Sequence, residues 1–202
     1  MSRVVLIHGY GANIDSPFHK INPELDFKAF ERHIKEGKAK IYIWCENTIR
    51  LGLLESFNPF IYQKIYRQDK TKATSNENFE KLHDFLIQEQ PEILVCHSLG
   101  CHMILSYLEN YQLPESVKKI FLIQADIPHN RKIPQIHATI YNVFCYWDVT
   151  LVLSMVVNLY IPAGLIGLKN CQNNIFFPLY KRPNLHLSSI GDKNLLKTLE
   201  LN

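Results

Sequence analysis

One serine in this chain stands where a side chain can be made nucleophilic. Ser98 lies in Cys96-His97-Ser98-Leu99-Gly100, after the apolar run Glu92–Cys96 and before a stretch in which Cys101, Ile104 and Leu108 recur at helical spacing. A strand that turns sharply into a helix holds its central residue strained and exposed at the C-terminal edge of a sheet. Strand and helix backbones crowd at such a turn, so the residues two before and two after the serine must be small. Gly100 meets that demand fully, and Cys96 meets it in part. The helix start also offers unpaired N–H groups suited to an oxyanion. The plain alternative is a serine that only caps the following helix. The buried strand before Ser98 and the helix pattern after it weigh against that alternative.

A nucleophilic serine needs a base for its proton, an acid to orient the base, and donors for the developing oxyanion. Downstream of the helix after Ser98 the histidines are His129, His137 and His186. Two aspartates close successive apolar runs: Asp126 ends KKIFLIQAD and Asp148 ends TIYNVFCYWD. Near the start, Val4-Val5-Leu6-Ile7-His8-Gly9-Tyr10-Gly11 reads as a strand entering a glycine turn.

The run VCHSLGC resembles the elbow of α/β-hydrolases. It is similar in particular to small single-domain serine hydrolases of the retinoblastoma-binding-protein-like type, which tolerate a non-glycine at the first motif position. Cys96, where the common motif has glycine, is the main departure. The resemblance implies the chain order Ser, Asp or Glu, His, so the base and acid follow Ser98. It puts the base in the loop after the last strand, which favours His186 in PNLHLSS. His129 comes too early in that order, His137 sits at a strand entrance on the wrong sheet edge, and His102 lies along the helix after the nucleophile. It favours Asp148 as the acid and leaves Asp126 as the alternative. Asp148 also precedes an apolar helix pattern, so it can serve as that helix's N-cap as well. The oxyanion donors implied are the backbone N–H groups of Tyr10 and Leu99. The implied substrate is a small-molecule carboxylic ester or thioester, with no metal or organic cofactor.

The elements that must position these residues are legible as alternating short Val- and Ile-rich runs and longer amphipathic stretches, the mark of a parallel sheet. Candidate strands are Val4–His8, Lys40–Trp44, Glu92–Cys96, Lys119–Gln124, Thr139–Cys145 and Asn174–Phe177. Candidate helices start at Asn22-Pro23 with a stop at Gly37, at Thr74 with capping-box spacing to Glu77, after Ser98 as far as about Tyr111, and from Asp148 to about Tyr160. The expected fold is α/β, a single α/β-hydrolase domain over residues 1–202. Its sheet has about six mainly parallel strands, with helices on both faces. The resemblance implies the strand order 2-1-3-4-5-6. The aromatic-rich stretch 50–72 is too long for a plain connection and reads as a lid or excursion.

Composition bounds the rest. Hydrophobic residues make up 47% and charged residues 20% of 202, which is ordinary for a globular chain. The formal charge of +3 comes from scattered pairs such as Lys118-Lys119 and Lys181-Arg182, so no nucleic-acid partner is indicated. The five cysteines contain no CxxC pair and lie mostly in apolar runs, and no secretory leader is visible. Both features point to the cytoplasm. Leu151–Leu168 is uncharged but interrupted by Asn158, Pro162 and glycines, so it reads as a buried or half-buried helix and loop, with a lipid-facing surface as the minor reading. Alongside an ester hydrolase, the sequence therefore admits a catalytically weak or inactive binding protein on the same fold, or a membrane-surface lipase.

Overall fold

A computed structural model describes residues 4–10, 14–17, 27–45, 48–177, 186 and 190–201. Six strands form one sheet: β1 (Val4–Ile7), β3 (Ala39–Tyr42), β5 (Ile93–His97), β6 (Lys119–Ile123), β7 (Thr139–Phe144) and β8 (Asn173–Phe176). All neighbours are parallel, in the order β3-β1-β5-β6-β7-β8. That is the order 2-1-3-4-5-6 expected for these six, and each strand lies within a residue or two of its expected bounds. β1, β5 and β6 are buried along almost their whole length, as continuous apolar runs in a sheet covered on both faces must be. A two-stranded parallel ladder, β2 (Ile14–Asp15) with β4 (Ile49–Arg50), was not expected. Strands of two residues leave no alternation in the sequence to find.

Alternate strand residues feed two cores. On one face Val5, Ile7, Leu94, Cys96, Ile120 and Leu122 pack with residues of the helices that follow β4 and β5. On the other face Leu6, Val95, Phe121 and Ile123 pack with Phe27, Phe30, Ile190 and Leu195. The helices are α1 (Glu31–Lys35), α2 (Pro59–Ala73), α3 (Asn76–Glu89), α4 (Leu99–Tyr107), α5 (Val149–Asn158), α6 (Ala163–Ile166) and α7 (Lys193–Thr198). Asn22-Pro23, the expected start of the first helix, lies outside the described residues; the 3-10 turn Lys28–Phe30 and α1 follow it, and Gly37 at φ +68° ends them.

The start of α3 differs by one residue from the capping-box reading. Ser75, not Thr74, accepts from the Asn78 N–H at 3.3 Å, while the Thr74 hydroxyl donates back to Lys70 O and so belongs to the end of α2. The helix after Ser98 stops at Tyr107, short of Tyr111. The stretch 50–72 resolves into a short 3-10 turn (Glu55–Phe57) and α2, which begins on an Asn58 cap with Pro59 at the first helical position and packs against α4.

The uncharged run 151–168 is not one helix. α5 ends at Leu159 in the left-handed conformation (φ +56°), and α6 follows Pro162. Among the described residues no helix is long and apolar enough to cross a membrane. α5 is also turned the opposite way from an ordinary surface helix. Only Leu151 is buried, while Val149, Val152, Leu153, Val156 and Val157 form an exposed stripe at helical spacing. Its polar residues Ser154 and Asn158 face inward instead.

Candidate active site

Ser98 sits between β5 and α4 at φ +51°, ψ −117°, a conformation that costs an L-residue roughly 1–3 kcal/mol and persists only when its surroundings enforce it. Those surroundings are visible. Its N–H donates to Ile123 O at 3.0 Å, extending the β5–β6 ladder to the serine, and its carbonyl accepts from Cys101 N at 3.0 Å. The two glycines of the surrounding motifs are needed where they stand. A Cβ on Gly100 would fall 2.6 Å from Ile7 O, because α4 starts directly against the end of β1. A Cβ on Gly9 would fall 2.7 Å from the Ser98 Cβ, so the turn after β1 runs against the serine itself. Cys96 needs no such space. Its thiol is fully buried in the core, which raises its pKa by desolvation and keeps it a neutral hydrophobe.

The Asp148 side chain does two things at once. One carboxylate oxygen caps α5, accepting from Leu151 N at 3.0 Å. The other accepts from His186 Nδ1 at 2.6 Å and from the Gln124 amide. Asp148 is wholly buried and His186 is 8% exposed. Because the carboxylate is an acceptor, the neutral imidazole carries its proton on Nδ1 and presents Nε2 as the basic nitrogen.

Asp126 closes β6 one strand earlier and goes elsewhere. Its carboxylate accepts from Tyr66 at 2.7 Å, from Ser154 at 2.7 Å and from Tyr160 at 3.0 Å. Its backbone N–H donates to Ser98 O at 3.3 Å. Burial and the Asp126 charge push both tyrosine hydroxyls above their ordinary pKa, so they stay neutral donors.

The other histidines weighed from the sequence, His102, His129 and His137, have their partners elsewhere. His137 hydrogen-bonds Val117 O before β7, and His102 accepts from Arg131 at 2.8 Å, with burial lowering its pKa to about 3. His129 follows β6, where its backbone pairs with Ile161 and Lys169. Tyr10, in the turn after β1, packs edge-on against Tyr66 and donates its hydroxyl to Tyr62 O. Leu99 is the first residue of α4, where a helix leaves N–H groups without an intrahelical acceptor. Gly11, Pro183, Asn184, Leu185, Leu187, Ser188 and Ser189 of the two site motifs lie outside the described residues.

Two side chains here were not singled out from the sequence as site residues. His97 donates from Nε2 to His186 O at 3.0 Å, and the two rings stand 4.6 Å apart. Gln124, 1% exposed and in the left-handed conformation at φ +46°, binds both Asp148 and the His97 side chain. A polar residue closing an apolar strand at its C-terminal end was the available signal for Gln124. Among the described residues no group of three His, Cys, Asp or Glu side chains is arranged to take a metal ion. A cavity of about 390 Å³ bordered by Val4, His33, Glu92 and Ile93 opens at the N-terminal ends of the strands, opposite to Ser98. Parallel α/β sheets bind ligands at the other, C-terminal edge, where Ser98 and Asp148 lie.

Residues 58–144 match the family model described as serine hydrolase, a span that includes α2, the elbow and β7. No curated protein sequence matches the chain. Similar solved structures include a protein assigned to the alpha/beta hydrolase superfamily from Xanthomonas campestris pv. campestris, 11% identical over 99% of both chains with a TM-score of 0.48. Another is the esterase domain of a Rhodothermus marinus protein, 14% identical over 98% of this chain and 83% of that one, with a TM-score of 0.45. By its sheet order and its strand–serine–helix turn the chain has the α/β-hydrolase fold, and over residues 58–144 it matches the serine hydrolase family.

Proposed function

We propose that the protein is a serine hydrolase that cleaves a small carboxylic ester or thioester through an acyl-Ser98 intermediate. The observation that carries this reading is the buried 2.6 Å hydrogen bond from His186 Nδ1 to Asp148, formed at the sheet edge where the strained turn presents Ser98. With Nδ1 committed to Asp148, His186 Nε2 takes the Ser98 hydroxyl proton as Oγ attacks the substrate carbonyl. The tetrahedral oxyanion is held by the backbone N–H groups of Tyr10 and Leu99. Collapse expels the alcohol or thiol, which leaves with the proton from His186. Water then attacks the acyl-enzyme by the same steps in reverse and restores Ser98. Asp148 orients the imidazole and stabilises its protonated form; as the α5 cap it is itself held in place. The buried cysteines fit a reducing, cytoplasmic setting.

Labelling with a fluorophosphonate probe and hydrolysis of short p-nitrophenyl esters test this reading. Ser98→Ala is expected to abolish labelling and to lower kcat by about 10⁴-fold or more with the fold retained. An intact protein that never labels would favour a binding protein on a hydrolase fold. Full activity in Ser98→Ala would overturn the assignment.

A second reading, a hydrolase that meets its substrate at a lipid surface, draws support from α5. Its stripe is exposed by 62% at Leu153 and 66% at Val156, next to Trp147 at 68%, and α5 carries no charged residue. Between Ile127 and Gly191 the only acidic residue is the buried Asp148, against Arg131, Lys132, Lys169, Lys181 and Arg182, so an anionic surface is the complementary one. Co-sedimentation with vesicles of anionic and of zwitterionic lipid tests it. Binding to the anionic vesicles that falls several-fold in Leu153→Asp supports it; protein that stays in the supernatant with both argues against it.

A further inference from the structure

His97 and Gln124 are more than neighbours of the residues already discussed. His97 Nε2 donates to the His186 backbone carbonyl, the His186 ring donates to Asp148, and Gln124 joins Asp148 back to His97. The four residues close a ring of hydrogen bonds that ties the His186 backbone to the strand leading into Ser98. We propose that His97 and Gln124 are positioning residues that fix His186 and Asp148 relative to Ser98. The proposal rests on the hydrolase reading of this site and adds to it the parts that set its geometry.

Physical grounds support each member. His186 meets His97 at its backbone and Asp148 at its ring, while Gln124 joins those two to each other, and the three come from three elements: His97 ends β5, Gln124 follows β6 and Asp148 caps α5. His186 thereby gains an anchor at the backbone and another at the ring. Misplacing a base by about 1 Å is enough to cost about 10²-fold in rate.

His97 is adjacent to Ser98 in sequence, so any shift of the nucleophile turn moves the donor with it. Burial holds the His97 pKa well below the ordinary value and keeps the ring neutral. A neutral ring 4.6 Å away does not oppose the positive charge that His186 takes up during catalysis.

Gln124 is held as deliberately. Its left-handed φ is unfavourable for an L-residue with a long side chain. α6 enforces it by close approach: Gly164 N donates to Ala125 O at 2.9 Å, and a Cβ on Gly164 would lie 2.4 Å from the Gln124 carbonyl carbon. The strained backbone aims the amide at Asp148 and His97, the use to which such strain is commonly put near active sites.

The test separates a lost hydrogen bond from a lost side chain. His97→Leu and Gln124→Met remove the bonds with little change in volume, while His97→Gln keeps a donor near the Nε2 position. Three measurements are made on each full-length variant: the thermal midpoint, kcat and KM on a p-nitrophenyl ester, and the downfield proton resonance of His186 Nδ1–H. Expected are a roughly 10–100-fold loss of kcat in His97→Leu and Gln124→Met with KM little changed. The resonance should broaden or vanish in both, and His97→Gln should recover kcat to within a few-fold. The resonance does not depend on turnover. A wild-type protein that shows it but hydrolyses nothing therefore breaks the hydrolase reading while leaving the positioning ring intact. Leu and Gln at position 97 behaving alike, with the resonance sharp in every variant, overturns the proposal. So does a fall in kcat matched by an equal rise in KM.

Discussion

Two aspartates close neighbouring strands of this sheet, both buried, and they do different work. Asp148 after β7 meets a histidine, an amide and one backbone N–H; Asp126 after β6 meets three hydroxyl groups. Burial and position in the fold are nearly the same, so neither explains the difference. The partners explain it. A carboxylate bound to an imidazole can orient and stabilise a proton carrier. One bound to two tyrosines and a serine of neutral character can only hold them. Those three hydroxyls come from α2, from α5 and from Tyr160, two residues past the end of α5, so Asp126 pins the helix that Asp148 caps. The loop after β6 ties two helices together, and the turn after β7 is the one that meets a histidine.

Exchanging the carboxylate for an amide breaks or sharpens this contrast. Asp148→Asn should lower kcat by about 10⁴-fold while the fold persists, since an amide favours the wrong tautomer of His186. Asp126→Asn should leave kcat within about tenfold of the wild type. Equal losses in both, measured on the same ester, would erase the distinction. Removing the Asp126 side chain should act on stability instead. Asp126→Ala leaves the half-buried Tyr66 and Ser154 hydroxyls without their carboxylate acceptor, Tyr160 keeping the Asp126 backbone carbonyl, and should cost about 2–4 kcal/mol in a denaturant titration, at the upper end for a single site.

Acid sensitivity should divide the two regions as well. The histidine side includes His8, stacked on Trp44 at the end of β1, whose pKa burial lowers to about 4. Its folded value lies below its unfolded one, so the unfolded chain takes the proton first. The stability it contributes is complete above about pH 6.5 and is lost as the pH falls toward 4, by up to about 3 kcal/mol. The slope of the melting temperature between pH 7 and 4 should flatten in His8→Asn and be unchanged in Tyr66→Phe. A slope identical in His8→Asn would falsify the assignment of acid sensitivity to this side.

Much of this was legible before any coordinates. The six strands and their order follow from strand-length apolar runs separated by amphipathic stretches. Ser98 stands out because a small residue, a strand and a helix pattern coincide around it. What was misread shares a cause. The helix 149–158 reads as buried or half-buried from its composition, yet its apolar stripe faces outward, because the inward face is fixed by polar contacts that the sequence does not pair: Ser154 with Asp126, and Asn158 with Tyr66. Likewise Thr74 and Ser75 offer nearly the same cap, and the choice between them falls to where α2 ends.

The sequence by itself determined the local parts: the turn at Ser98, the glycines at positions 9 and 100, and an aspartate at the end of each of two strands. These follow from period, size and backbone freedom within a few residues. Only the tertiary structure decided which aspartate meets His186, 38 residues away, and that His97 binds the His186 backbone across 89. It also set Tyr66 on Asp126 across 60. Such contacts are chosen by how helices settle on the two faces of the sheet. That is a property of the whole packed chain, and no short stretch of it contains the answer.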